Sequence, residues 1–245
     1  MEDNNYFAKA KEYHDWIAYR ENKSSKYWQQ IFPVIEKMVG NIGGEKILDY
    51  GCGDGIVANY FAQKGAYVFG VDINKDLIEY AQAHFNLANF EIIEDSDDNL
   101  KNINNHFDKI LSSVVFQYIE NIDSPLGQMH KLLKNNGQLI VAMPHPLKST
   151  ENNLVYVNGK WLLQISDYYM NGARERKFGS DHGDKIYHRN FSEIVNMFQR
   201  NMFHINEIVE TKPSEEDLLI RPERIIDLHR PYAIVIKAEK YCKIY

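Results

Sequence analysis

Along residues 46–143, short apolar runs of strand length alternate with stretches whose apolar residues recur at helical spacing. Strands are expected at 46–50, 66–71, 90–94, 107–114 and 138–143. Between them, 56–64 reads as a helix stopped by Gly65, a natural C′ residue. Leu77, Ile78, Ala81 and Phe85 form one stripe of a helix that Asn74 can cap. Leu126, Met129, His130 and Leu133 mark a further helix, and Asn135-Asn136-Gly137 turns the chain into the last run. With short loops throughout, this order predicts an α/β chain whose doubly wound sheet is parallel over its first five strands, with helices on both faces.

The flanks are read relative to that core. Residues 5–39 show helical periodicity, broken near Ser24 and Ser25. Residues 144–190 lose the rhythm: prolines and glycines are interleaved with Tyr and Trp. A long irregular insert rich in aromatics is expected to be functional, and we read it as a substrate lid. A helix at 191–203 and strands at 204–210 and 232–238 follow, separated by a charged loop with Pro213, Pro222 and Pro231. The expectation is one domain over 1–245: a helical cap at 1–42, a core at 43–145, the lid at 146–190 and a C-terminal part at 191–245.

Gly51-Cys52-Gly53-Asp54-Gly55 stands between the first strand and its helix, at the strand's carboxyl end, where open α/β sheets bind ligands. Glycines there permit positive φ and close approach of a ligand to the backbone. Asp72 ends the second strand and can accept hydrogen bonds from both ribose hydroxyls of a nucleoside cofactor. Two cofactors compete. The dinucleotide fingerprint is Gly-x-Gly-x-x-Gly, but the third glycine comes one residue early here, and Asp54 sets a carboxylate where a pyrophosphate would lie. S-adenosylmethionine (SAM) has no phosphate and carries a positive sulfonium, so Asp49 can face its ammonium group and Asp54 repels nothing. SAM is the preferred reading, and NAD the alternative.

On these residues the chain resembles the class I SAM-dependent methyltransferases, in the branch that acts on small molecules. The likeness rests on Asp49–Gly55, Val71-Asp72-Ile73-Asn74, Glu94-Asp95-Ser96, the strand 108–113 with the following Val114-Val115-Phe116-Gln117-Tyr118, and the strand 137–144. It implies a Rossmann-like, seven-stranded, mostly parallel sheet whose last strand runs antiparallel. It also implies cofactor contacts from Asp49, Gly51, Gly53, Asp72 and Ile73, adenine recognition near Asp95 and Ser96, and backbone contacts to the methionine part near Ser113. S-adenosyl-L-homocysteine is the implied product.

SAM is already activated, so the enzyme must align a nucleophile, exclude water and in some cases remove a proton. His145, between Pro144 and Pro146 just past the fifth strand, is a candidate base or a loop histidine that caps a backbone group. His188 is a second candidate base, and Arg189 is a holder of an acidic substrate group or a partner of a structural carboxylate. Related small-molecule methyltransferases carry a similar His-Arg pair at this place. Trp161, Tyr168 and Tyr169 can stack on an aromatic substrate or form the lid's own core, and Tyr19, with Tyr13, Trp16 and Arg20, can cover the cofactor. No metal is expected: His182 and His188 lack ligand spacing.

Net charge at pH 7 is −6, which does not favour a nucleic-acid partner, although Arg174, Arg176, Lys177 and Lys185 cluster locally. Cys52 and Cys242 form no disulfide framework. No apolar run approaches the roughly 18 residues of a membrane span, and no signal peptide is visible. The expectation is a cytoplasmic enzyme acting on a small-molecule acceptor. RNA or protein methylation, and a SAM-binding protein without catalysis, are the alternatives. The sequence says nothing of oligomeric state.

Overall fold

The computed structural model describes residues 25–94, 96, 100–104, 106–176 and 184–241. The expectations for Tyr13, Trp16, Tyr19, Arg20, Asp95, Lys177 and His182 therefore lie outside the described residues.

A seven-stranded sheet forms the centre, in the order β3-β2-β1-β4-β5-β11-β10. Its strands are β1 (Lys46–Tyr50), β2 (Tyr67–Asp72), β3 (Asn89–Ile92), β4 (Phe107–Ser113), β5 (Leu133–Pro144), β10 (Phe203–Glu210) and β11 (Ala233–Lys240). The pairs among β1 to β5 are parallel, and β11 runs antiparallel to both β5 and β10. The sheet is thus mostly parallel with an antiparallel last strand, as the resemblance implies. Because β1 lies between β2 and β4, successive connections leave β1 in opposite directions, and a crevice opens at the carboxyl ends of β1 and β4.

Strand alternation divides the core between two faces. Ile47, Leu111, Ile140 and Val235 face a π turn (Tyr27–Ile31) with α1 (Phe32–Val39), α2 (Ile56–Gln63) and α3 (Lys75–His84). Leu48, Ile110, Leu139, Val141 and Ile236 face α4 (Asp123–Leu132) and α6 (Phe191–Arg200). Burying apolar residues on both faces explains why β5 and β11 read as continuous apolar runs. Asn74 caps α3 as expected, its side chain accepting from Leu77 N–H at 3.1 Å.

The insert after β5 is not irregular. A single turn, α5 (Pro146–Ser149), leads into an antiparallel hairpin, β6 (Glu151–Val157) with β7 (Lys160–Ser166), and then a second, β8 (Gly172–Arg176) with β9 (Asp184–His188). Asn158 and Gly159, both at positive φ, make the first hairpin's two-residue turn. The charged loop before β11 also has structure: α7 (Glu215–Ile220) and a 3-10 segment (Pro222–His229). Asp217 is fully buried and holds α7 to that segment, accepting from Arg221 and Arg224. Lys26 Nζ reaches Asp227 at 2.5 Å, tying the same segment to the π turn.

Candidate cofactor and acceptor site

The turn after β1 needs its glycines. Gly51, Gly53 and Gly55 have φ of 75°, 55° and 77°. A Cβ on Gly51 would lie 2.3 Å from Val115 Cγ2, and one on Gly55 would lie 2.8 Å from Ala81 Cβ. The turn is pinned from below by Gly51 and Cys52 N–H donating to the Val71 carbonyl, and from the side by Asp72. Asp72 Oδ2 accepts from Gly53 N–H at 2.8 Å and Oδ1 from Asn74 N–H at 2.9 Å. A carboxylate has about four acceptor positions, so these bonds leave room for ribose hydroxyls. Burial pushes the Asp72 carboxyl above its ordinary value, and nearby Asp54 adds to this, while the N–H groups of Asn74, Gly53 and Ile73 pull the other way.

Three carboxylates, Asp49, Asp72 and Asp54, act on the buried Cys52 thiol and with burial push it well above its usual range. The turn is therefore an electronegative pocket floor with an inert thiol beneath it. Such a floor suits a cationic cofactor and opposes a pyrophosphate, so these residues fit SAM and not a dinucleotide.

Ser113 ends β4 beside β1, and its Oγ lies 3.0 Å from the hydroxyl of buried Tyr27. Tyr27 belongs to the π turn, a local form that recurs at functional sites. Tyr27 lies within the helical periodicity of residues 5–39, which marks it for packing and gives no sign of its contact with Ser113. Ile73 is 37% exposed at the end of β2, and Ser96 lies exposed beyond β3 with its N–H on the Glu94 carbonyl. Asp49, Gly51, Gly53, Asp72, Ile73 and Ser113 thus share the carboxyl edge of β1, β2 and β4.

The acceptor-side candidates are distributed differently. His145 is 5% exposed; its Nδ1 accepts from Leu147 N–H at 3.2 Å and its Nε2 donates to Glu210 Oε1 at 2.7 Å. Both nitrogens are engaged, and His145 caps the start of α5. His188, 1% exposed, has Nε2 on the Tyr168 carbonyl at 2.9 Å and Nδ1 against Ser149 Oγ at 2.6 Å. A carbonyl only accepts, so Nε2 carries the proton and the ring joins α5 to the second hairpin.

Arg189 does not present itself to an acidic substrate. Its guanidinium donates to the carbonyls of Phe116 (3.2 Å), Ile119 (2.5 Å) and Glu120 (2.9 Å), clamping the second hairpin onto the turn after β4. Tyr187 strengthens this clamp through Glu120 at 2.9 Å. The aromatics separate into two groups. Tyr168 stacks edge-on with Tyr169 and His188, and its hydroxyl accepts from Phe191 N–H, so it serves the lid's own core. Tyr169 is 85% exposed. Trp161 lies between Tyr156 and His229, joining the first hairpin to the 3-10 segment. Of the basic cluster, Arg174 spends its guanidinium on the carbonyls of Asp167 and Met170, and Lys185 pairs in register with Glu175. Among the described residues no cluster of His, Cys, Asp and Glu is arranged to hold a metal ion.

His145 also sets a pH dependence. Burial lowers its pKa below 6.5, against the opposing pull of Glu210. The folded state therefore takes up its proton at lower pH than the unfolded chain, so its contribution to stability is complete above about pH 6.5 and is lost as pH falls below it. Half-buried His130 acts in the same direction. Thermal melts at pH 7.5 and 5.5 should show a drop on acidification. His145→Asn keeps a capping acceptor and should flatten that drop. It should also keep methyl transfer within about threefold of wild type, where loss of a general base would cost about a hundredfold or more.

A doubly wound sheet with an electronegative glycine turn and an acid at the end of β2 defines a protein that binds a cationic nucleoside cofactor. A family model described as a methyltransferase domain matches residues 42–212, and the chain belongs to that family. The fold is shared with a SAM-dependent methyltransferase from Mesorhizobium loti (TM-score 0.78, 24% identity, 88% of this chain and 98% of that one). It is also shared with a putative one from Listeria monocytogenes (TM-score 0.74, 24% identity, 86% and 96%). An uncharacterised protein of Haemophilus influenzae is 28% identical over 220 residues, 85% of this chain and 86% of that one. A ubiquinone biosynthesis O-methyltransferase of Pelagibacter ubique is 34% identical over 106 residues, so the chain spans 41% of that relative's length. The protein is a SAM-dependent methyltransferase, and SAM is its cofactor. Among the described residues no helix is long and apolar enough to cross a membrane.

Proposed function

We propose that the chain transfers the methyl group of SAM to an oxygen or nitrogen of a small-molecule acceptor in the cytoplasm. The observation that carries this reading is the fastening of the 146–190 insert by the chain's own contacts: Arg189 ties its second hairpin to the turn after β4, His188 ties that hairpin to α5, and Trp161 meets His229 of the 3-10 segment. An insert held against the end of β4 in this way suits a compact acceptor rather than a nucleic acid or a folded protein. The net charge of −6 and the partial likeness to O-methyltransferases of ubiquinone biosynthesis support the same reading.

When bound, SAM supplies a methyl group on a sulfonium leaving group. In this reading Asp72 orients the ribose, Asp49 and Asp54 complement the positive charge, and Ile73 with Ser96 borders the adenine. With His145 and His188 occupied, catalysis rests on alignment and exclusion of water. The acceptor is then one that needs little help from a base.

The test is methyl transfer from radiolabelled SAM to a panel of phenols, enols, amines, carboxylates and thiols, with transfer RNA and protein extracts in parallel. Label in one or a few small molecules supports the proposal. Label confined to RNA or protein would replace the acceptor class, and SAM binding with no transfer to any class would favour a non-catalytic role.

A further inference from the structure

Gln117 sits in the turn after β4, 5% exposed. Its Nε2 donates to the Val114 carbonyl at 2.8 Å. Its Oε1 is buried and, among the described residues, has no hydrogen-bond partner. The amide cannot be turned round: Val114 offers a carbonyl, which only accepts, so nitrogen must face it and oxygen is left over. A buried acceptor without a donor costs about 1–3 kcal/mol and calls for an explanation.

The surroundings supply one. Val114 has φ of 62°, a conformation that a β-branched residue adopts only under constraint, and such strain collects at functional sites. The constraint is visible. Val114 N–H donates to the Ala142 carbonyl at 2.7 Å, and Arg189 grips the carbonyls of Phe116, Ile119 and Glu120 on either side of Gln117. Val115, between the strained residue and the glutamine turn, presses on Gly51 of the cofactor turn. Among the described residues the Gln117 amide oxygen is thus held buried and unpaired, two residues from the Val115 side chain that lies against the cofactor turn.

Resting on the small-molecule reading above, we propose that Gln117 Oε1 is the acceptor-binding group that receives a hydrogen bond from the N–H of an amine, so that the chain is an N-methyltransferase. An amide is far too weakly basic to take a proton from an alcohol. A neutral amine needs no such step. Its lone pair forms the bond to the methyl carbon while the carbon–sulfur bond breaks and its electron pair returns to sulfur. Positive charge then grows on nitrogen, and its N–H becomes a stronger donor to Gln117 in the transition state than in the ground state, which is the condition for acceleration. The product ammonium gives its extra proton to water. The other source of a donor is the ammonium group of SAM itself, and the test separates the two.

The full-length protein, Gln117→Met and Gln117→Glu are compared. Methionine keeps the volume and removes the acceptor. A buried, protonated glutamic acid can donate to Val114 and accept with its other oxygen, and so restores it. Melting temperature, SAM and S-adenosylhomocysteine affinity by calorimetry, and methyl transfer to the panel above are measured on each. We expect Gln117→Met to melt no lower than wild type and to bind SAM within about twofold of it. Transfer to an amine should fall about tenfold or more, with KM raised and kcat lowered, and Gln117→Glu should recover part of it. Weakened SAM binding in Gln117→Met would assign the oxygen to the cofactor and overturn the proposal. Transfer by the wild type to a carboxylate, thiol or phenol but to no amine would also overturn it while leaving small-molecule methylation standing. Transfer to no small molecule would remove both.

Discussion

Asp72→Ala is expected to weaken SAM binding about a thousandfold while leaving a folded protein. Each hydrogen bond from a ribose hydroxyl to an ionised carboxylate is worth about 1.5–3 kcal/mol, and losing two sums to about 4 kcal/mol, or roughly three powers of ten in Kd. The cost to stability is smaller. Gly53 and Asn74 N–H lose their acceptor, but both bonds are only part-buried, so water can replace some of what is lost. Part of that loss is also offset, because the folded state raises the Asp72 pKa and an ionised Asp72 therefore opposes folding at neutral pH. The same direction predicts that SAM binds more weakly as pH falls toward the raised pKa, since ribose hydroxyls favour the ionised form. Calorimetric titration of wild type and variant at pH 7.5, with wild type repeated in acid, checks both statements. Wild-type affinity in Asp72→Ala would remove this residue from the cofactor site.

The core was legible because its signals are local. The apolar runs, Gly65, Asn74 and the glycine turn each act within a few residues, and they assemble into the expected parallel sheet with only shifted ends. Asp72 was legible because spacing along two parallel strands fixes its distance from the turn: Asp49 pairs with Gly70 and Tyr50 with Val71. The lid's hairpins are less legible: Asn158-Gly159 between Val157 and Lys160 is a strong hairpin signal, but the prolines and glycines elsewhere in the insert give the stretch an irregular pattern.

The histidines show the limit of reading chemistry from residue type. His145 and His188 stand where a base is wanted, yet what occupies their nitrogens is Glu210, 65 residues from one, and Ser149, 39 residues from the other. Arg189 is likewise committed by carbonyls about 70 residues earlier in the chain. No local pattern announces such partners. Gln117 stands in the sequence only as part of a matching motif, because an unpaired oxygen is a property of the folded surroundings and not of the residue.

Gly51→Ala is expected to destabilise the protein by about 3 kcal/mol, from a positive φ worth about 1–2 and an overlap worth about 1–3 kcal/mol. Both causes are concrete: φ is 75°, and the added Cβ would come within 2.3 Å of Val115 Cγ2 and 2.9 Å of Cγ1. Val115 cannot retreat easily, because it follows strained Val114 and precedes the segment gripped by Arg189. The turn must therefore shift, and the Asp72–Gly53 bond that shapes the cofactor floor shifts with it. SAM affinity should fall at least about tenfold as a result. A double-mutant cycle separates the two causes. Val115→Ala removes both γ-carbons, so Gly51→Ala in that background should be less damaging by about 1–2 kcal/mol, while the conformational part remains. Denaturant melts of the four proteins give the coupling directly. Additive effects would mean that the turn and the segment after β4 do not bear on one another. A coupling of the expected size would show that the cofactor turn is shaped by the element that carries Gln117.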